Sequence, residues 1–215
     1  KKKELLVRDR CPGFHKKPTP RSAWKVKRKR LPKDYEIDRP GDLIVLDAII
    51  EYVGPNFKKL YFITCLDVAT RIGLAVAVDT LNSKATQALL QKMEEVLQTD
   101  IQSVLTDNGG EFLAHFHKAC MDQGIEHFFT RPRTPKDNAK AERFNLTLQQ
   151  HLYWRVDLTA SIYEINTVLA DWLVEYNCLR PHESLNMRPP AASYFASFYF
   201  PRNPKVDLKL WNRTG

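Results

Sequence analysis

Residues 41–50 read Gly41–Asp42–Leu43–Ile44–Val45–Leu46–Asp47–Ala48–Ile49–Ile50, an apolar run from Leu43 to Ile50 broken only by Asp47. Pro40–Gly41 stands before it and the turn signal Gly54–Pro55–Asn56 after it. A short unbroken apolar run between such punctuation predicts a strand covered on both faces, in the interior of a sheet. An unpaired carboxylate in that setting costs on the order of several kcal/mol. Asp47 is therefore either satisfied by backbone donors or an arginine, or kept for chemistry, and burial favours the second reading.

Working outward, Leu60–Leu66 predicts a second strand, Asp67–Val68–Ala69–Thr70 a short connection, and Ile72–Val78 a third strand, which together make an antiparallel meander. Asn82 or Ser83 caps a helix to about Leu97, with Ala85, Leu89, Met93 and Val96 on one stripe. Ile101–Leu105 reads as a fourth strand ending at Thr106–Asp107–Asn108–Gly109–Gly110. A helix from Glu111 to about Met121, a fifth strand at Ile125–Phe129 and a loop with Pro132 and Pro135 follow. A helix is expected from Asn138 to Val156 and another from Ser161 to Asn177, the latter with a capping box at Ser161 and Glu164. The order predicts an α/β domain, a mixed five-stranded sheet with helices on both faces. Residues 1–40 are expected to be a basic extended arm, 41–190 the core, and 191–215 a proline- and aromatic-rich tail.

The 215 residues are 43% hydrophobic, enough for a real core, and no apolar run approaches the length of a membrane span. Cys11, Cys65, Cys120 and Cys178 form no close pair with metal-ligand spacing, so reduced thiols in a reducing compartment are expected. An intracellular protein is therefore expected. A start at Lys1 without methionine suggests a fragment. The net charge of +8 is unevenly spread: residues 1–33 carry fourteen Lys or Arg against two acids, a net of +12, and the remainder nets −4. Lys25, Lys27, Arg28, Lys29 and Arg30, with Trp24 among them, are candidates to follow a phosphate backbone; a solvated linker or a nuclear-targeting run is the other reading.

Two further acids matter. Asp107 falls just past a strand, where α/β sheets place ligand groups, although a lone Asp there is equally a turn residue. Glu142 shares a helix stripe with Asn145 and Gln149, nearly opposite Phe144, Leu148 and Leu152, so it can face a cleft; alone, it also suits a helix first turn.

Four segments together carry a resemblance: Gly41–Asp47, Thr106–Phe112, Thr134–Asn145, and Tyr176–Asn177–Cys178–Leu179–Arg180–Pro181–His182 with Leu185. In this order they resemble the integrase catalytic core family, which includes retroviral integrases and bacterial insertion-sequence transposases. The resemblance covers about residues 40–190 and implies a ribonuclease H-like fold. It matches Asp47, Asp107 and Glu142 to the family's catalytic acid triad, although thirty-four residues separate the last two, one fewer than in many members. It implies two Mg²⁺ or Mn²⁺ ions, with Asp47 bridging them, Asp107 on one and Glu142 on the other. Activated water would cut a phosphodiester at a mobile-element end, and the freed 3′-hydroxyl would attack target DNA. Multimers acting on paired DNA ends are also implied. Lys136, Lys140 and Arg143 would contact phosphates beside the acids, while Arg180 and His182 brace the end of the last helix. A nuclease on the same fold, or a DNA-binding assembly protein with an inactive site, are the alternatives.

Overall fold

A computed structural model describes residues 28–113, 115–131 and 138–199. Lys25, Lys27 and Lys136, and the tail beyond 199, lie outside the described residues. The strands are β1 (Ile44–Val53), β2 (Lys58–Asp67), β3 (Gly73–Val78), β4 (Ser103–Thr106) and β5 (Glu126–Phe129), in the order β3-β2-β1-β4-β5. β1 pairs antiparallel with β2, and β2 with β3; β1 and β4, and β4 and β5, pair in parallel. The expected mixed sheet is present, with β1 at its centre.

The strand period of two sorts β1 between two cores. Ile44 and Leu46 join Ile63, Cys65 and Val104 under α1 (Ser83–Leu97) and α2 (His115–Asp122). Val45 and Ile49 face the other way. There Ile49, Phe62 and Leu66 pack with Phe144, Leu148, Leu169 and Trp172 of α3 (Ala139–Leu152) and α4 (Ile162–Cys178). Helices therefore cover both faces. Burial on both sides holds only for the first half of β1; past Ala48 the strand opens, and Ile50 and Tyr52 are exposed on the way to the hairpin.

Several elements depart from expectation for local reasons. The helix expected at Glu111–Met121 is broken into a 3₁₀ turn at Gly110–Phe112 and α2 from His115. Leu113 is extended (ψ 175°), and the Ser83 hydroxyl donates to the Glu111 carbonyl at 2.9 Å, taking the acceptor a continuous helix would need. α3 ends at Leu152 rather than Val156. The capping box at Ser161 and Glu164 is formed. A further helix, α5 (Pro190–Tyr199), occupies the start of the segment expected to be a tail. Its Tyr194 is 6% exposed and donates to the Leu97 carbonyl, tying it to the end of α1.

The end of the expected arm is also part of the fold. Lys29 forms a parallel bridge with Phe128, beside β5, and Leu31, Tyr35 and Ile37 pack onto Leu43, Val45 and Phe128. Lys29 pairs with Glu126 at 2.6 Å and lies over the Phe128 ring, and Arg30 donates to the carbonyls of Phe129 and Thr130.

The opposite edge is closed by two asparagines three turns apart on α4. Asn166 accepts from Ala77 N at 2.8 Å and donates to Ala77 O at 2.9 Å; Asn177 does the same to Gly73 at 2.9 and 2.8 Å. An edge strand left bare is a template for another chain, and these amides occupy its outward groups. Gly73 is required for the close approach of α3: a Cβ there would lie 2.5 Å from the Phe144 ring. Because Gly73 and Ala77 are buried, Asn166→Ala or Asn177→Ala leaves a donor and an acceptor unpaired. Each substitution is expected to cost roughly 1–3 kcal/mol. In urea unfolding the midpoint should fall with an unchanged slope; a midpoint equal to wild type would mean water replaces the amides.

Candidate active site

Asp47 lies between Val45 and Ile49 on the face of β1 that α3 covers. Its Oδ2 accepts from Asn138 Nδ2 at 3.1 Å and Asn145 Nδ2 at 2.9 Å, and its Oδ1 from Ala48 N at 2.9 Å. Asn138 occupies the N-cap of α3 but makes no capping bond; its amide is turned to Asp47 instead. Asn145 is two helical turns further on and buried. Sequence reading placed Asn145 on the Glu142 stripe without giving it a partner, and missed Asn138; an asparagine at a helix start is ordinarily a cap.

Burial, partly offset by the Ala48 N–H and opposed by the Asn138 amide, pushes the Asp47 carboxyl up to about 6, with the negative charges of Asp107 and Glu142 adding to the rise. The three acids thus act on one another across β1, the end of β4 and the first turn of α3. Asp107 is partly buried one residue past β4, and its Oδ1 accepts from Gly109 N at 2.8 Å in an Asx turn. Asn108 donates to the Thr130 carbonyl at 3.2 Å, which ties this loop to the end of β5. Glu142 is exposed on the first turn of α3, where its carboxylate also suits the helix dipole. Among the described residues, no group of three His, Cys, Asp or Glu side chains stands close enough together to hold a metal ion as it is.

The donor set nonetheless suits a hard divalent cation. It is made of oxygens: three carboxylates, and beside Asp47 the buried Oδ1 atoms of Asn138 and Asn145, neither of which has a hydrogen-bond partner. Mutual repulsion among acids, one of them buried, is relieved by positive charge.

Other acids have separate roles. Asp67 is fully buried and accepts from Gly41 N, Thr70 N and the Thr70 hydroxyl, so it fixes the β2–β3 connection. Glu111 is raised by burial and by the charge of Asp107, which places it beside the site. Glu51 accepts from Gln149 at 2.9 Å and from the Tyr153 hydroxyl, so the stripe of Glu142, Asn145 and Gln149 runs along β1.

The basic candidates divide. Arg143 is exposed next to Glu142, and Lys140 stands one turn-step away near Arg71 and Asp67. Arg28 is exposed. Lys29 and Arg30 are engaged in docking the arm. Arg180 meets His151 of α3 at 3.3 Å, and His182 stacks edge-on against Tyr176 at 4.9 Å, so both brace α3 and α4. Cys65 and Cys120 are buried free thiols and Cys178 is exposed.

The chain is similar in sequence and in fold to known proteins. An Insertion element IS476 uncharacterized 39.2 kDa protein of Xanthomonas euvesicatoria is 32% identical over 166 residues, covering 74% of this chain and 45% of the relative. A putative integrase ORF3 of Spiroplasma virus SpV1-C74 is 27% identical, covering 73% and 48%. The chain thus spans about half the length of these relatives. In solved structures, the fold matches a chain of the simian T-cell lymphotropic virus intasome with a TM-score of 0.64 and 19% identity, over 84% of this chain and 64% of that one. It matches the HTLV-2 integrase catalytic core domain in complex with magnesium with a TM-score of 0.59 and 16% identity, over 73% and 97%. The fold is therefore that of the ribonuclease H-like integrase cores. Two sequence patterns, each described as an integrase core domain, match residues 37–135 and 123–190, and the chain belongs to this integrase catalytic core family.

Proposed function

We propose that this chain is the catalytic part of a DNA transposase or integrase that cuts and joins strands at mobile-element ends. The observation that carries the reading is Asp47: a carboxylate on the central strand, facing α3, with its pKa raised to about 6 by burial and by two further acids arriving from different elements. Among the described residues, the partners of Asp47 are two side-chain amides and one backbone N–H, and the charges acting on it are those of other acids. Asp47, Asp107 and Glu142 would hold two magnesium or manganese ions, a choice also supported by the magnesium bound to the HTLV-2 core. The ions would supply Lewis-acid activation of the attacking oxygen and neutralise charge at the leaving oxygen.

The residues of the chain do the rest. Asn138 and Asn145 both donate to Asp47 Oδ2, and with Ala48 N on Oδ1 they hold the carboxylate in place. The Asx turn at Asp107 sets the second carboxylate at the end of β4. Glu142, exposed on its helix turn, is the acid that can swing onto a substrate-loaded site. Arg143, Lys140 and Arg28, with Lys25, Lys27 and Lys136, would contact phosphates and position the strand. Assembly of several copies on paired ends is part of the proposal, as the intasome neighbour suggests.

With full-length protein and cognate ends, wild type should free a 3′-end and join it to target DNA in Mg²⁺ or Mn²⁺. Glu142→Gln should bind DNA and do neither at the wild-type rate, with a loss of about a hundred- to a thousandfold, the scale expected when charge stabilisation of the transition state is removed. Nicking without joining would favour a nuclease. Cleavage by the variant at wild-type rate would remove Glu142 from the site.

Stability gives a second test. Between about pH 4 and 6 folded Asp47 keeps a proton that the unfolded chain has released, so its contribution to stability falls as pH rises through that window and stays low above it. In metal-free buffer, Asp47→Asn should therefore gain on wild type as pH rises from 4 to 7, by a few °C in Tm, given about 2–4 °C per kcal/mol. Added Mg²⁺ should raise the Tm of wild type and not of the variant. A variant that melts lower by the same margin at every pH would contradict the raised carboxyl.

A further inference from the structure

Behind the sheet, on the side away from the acids, three polar side chains form a line. Thr106 is fully buried and His127 is 3% exposed. His127 Nε2 lies 2.9 Å from Thr106 Oγ1, and His117 Nδ1 lies 3.1 Å from His127 Nδ1. The Thr106 hydroxyl donates to the Asp107 carbonyl at 2.9 Å. The His127 ring is enclosed by Phe129, tilted at 4.1 Å, and by Phe116, edge-on at 5.3 Å. Burial and the neighbouring His117 push its pKa down to about 3, so it is neutral at physiological pH.

The bonding capacity of each group fixes the next. A carbonyl only accepts, so the single hydroxyl proton of Thr106 is committed to Asp107. Thr106 Oγ1 must then accept from His127, which places the His127 proton on Nε2. A neutral imidazole protonated there has a bare Nδ1, so His117 must carry its proton on Nδ1. The line runs one way, from His117 to the peptide of Asp107.

This arrangement is costly unless it is used. Phe116 and Phe129 flank it, and apolar side chains would fill the same space without buried polar atoms. Its end point is also specific. Asp107 is the first residue past β4 and so lies outside the strand ladder, although Thr130 N still donates to Thr106 O at 2.8 Å. The Thr106 hydroxyl grips the next carbonyl on from that bond.

We propose that Thr106, His127 and His117 are positioning residues, a one-way hydrogen-bonded relay that sets the Asp107 carboxylate from behind the sheet. The proposal rests on the reading of Asp107 as a metal ligand. Supporting partners of metal ligands typically alter affinity by about 10–100-fold when removed.

Two measurements test it. The first is the ring-nitrogen NMR of the intact protein, which needs no activity: His127 should be the Nε2–H tautomer and His117 protonated on Nδ1, and a His127 proton on Nδ1 overturns the relay. The second compares Thr106→Val, which keeps the shape and removes the hydroxyl, with Thr106→Ser, which keeps the hydroxyl. Thr106→Val should raise the Mn²⁺ concentration for half-saturation, read by calorimetry and by strand cleavage, by roughly tenfold, with Thr106→Ser near wild type. His127→Gln, which retains a donor at the Nε2 position, should also stay near wild type, whereas His127→Leu should follow Thr106→Val. If Thr106→Val only lowers Tm and leaves the Mn²⁺ midpoint unchanged, the relay is fold support and the proposal fails. If wild type itself binds no Mn²⁺ at the acids, the metal-site reading fails, and with it the relay's role, while the tautomers still report whether the hydrogen-bonded line exists.

Discussion

A carboxylate on the central strand of a sheet has lost most of its water, and something must take the water's place. For Asp47 that substitute is a pair of amides, Asn138 at the start of α3 and Asn145 two turns along it. The requirement fixes α3 over β1, in register with Asp47. Phe144 then falls against Gly73, and Leu148 and Leu152 enter the core that α4 completes. α4 in turn lays Asn166 and Asn177 on the outer edge of β3. The polar contact at the centre and the apolar packing around it thus specify one docking of the helices.

The same contact shapes the site. Amide donors hold a carboxylate in place without cancelling its charge, which leaves Asp47 able to respond to Asp107 and Glu142. An arginine in their place would have satisfied Asp47 and ended its usefulness to a cation. The amides do not relieve the repulsion among the acids, and the site keeps an electrostatic demand for positive charge. An acid sunk in the central strand, with no basic neighbour among the described residues, is therefore the feature that separates this sheet from a purely structural one of the same topology.

Much of this was legible in the chain itself. The interruption of Leu43–Ile50 by Asp47 marked the central strand and its acid together, because burial and charge conflict in a way that few positions tolerate. The order of strands and helices followed from apolar periodicity, and Ser161 with Glu164 marked a helix start from local chemistry alone. The misses share a physical origin: they depend on distant partners. Ser83 breaks the helix after Glu111 from twenty-eight residues away, Tyr194 finds Leu97, and the arm is held by β5 through Lys29 and Arg30. Basic residues in an extended segment read as ligand contacts, yet these two are occupied by the protein's own backbone and by Glu126. Asn138 escaped because its ordinary use, capping, is local, whereas its use here spans ninety-one residues.

The central claim is that Asp47, Asp107 and Glu142 form one cation-binding site. Its most direct test is a crystal structure of the protein soaked in Mn²⁺, with the anomalous signal used to locate the ions. The account predicts an anomalous peak within coordination distance of Asp47 and Asp107, with Asn138 and Asn145 still bonded to Asp47 and Glu142 turned inward. Manganese bound elsewhere, with Asp47 left to its amides alone at saturating metal, would contradict it.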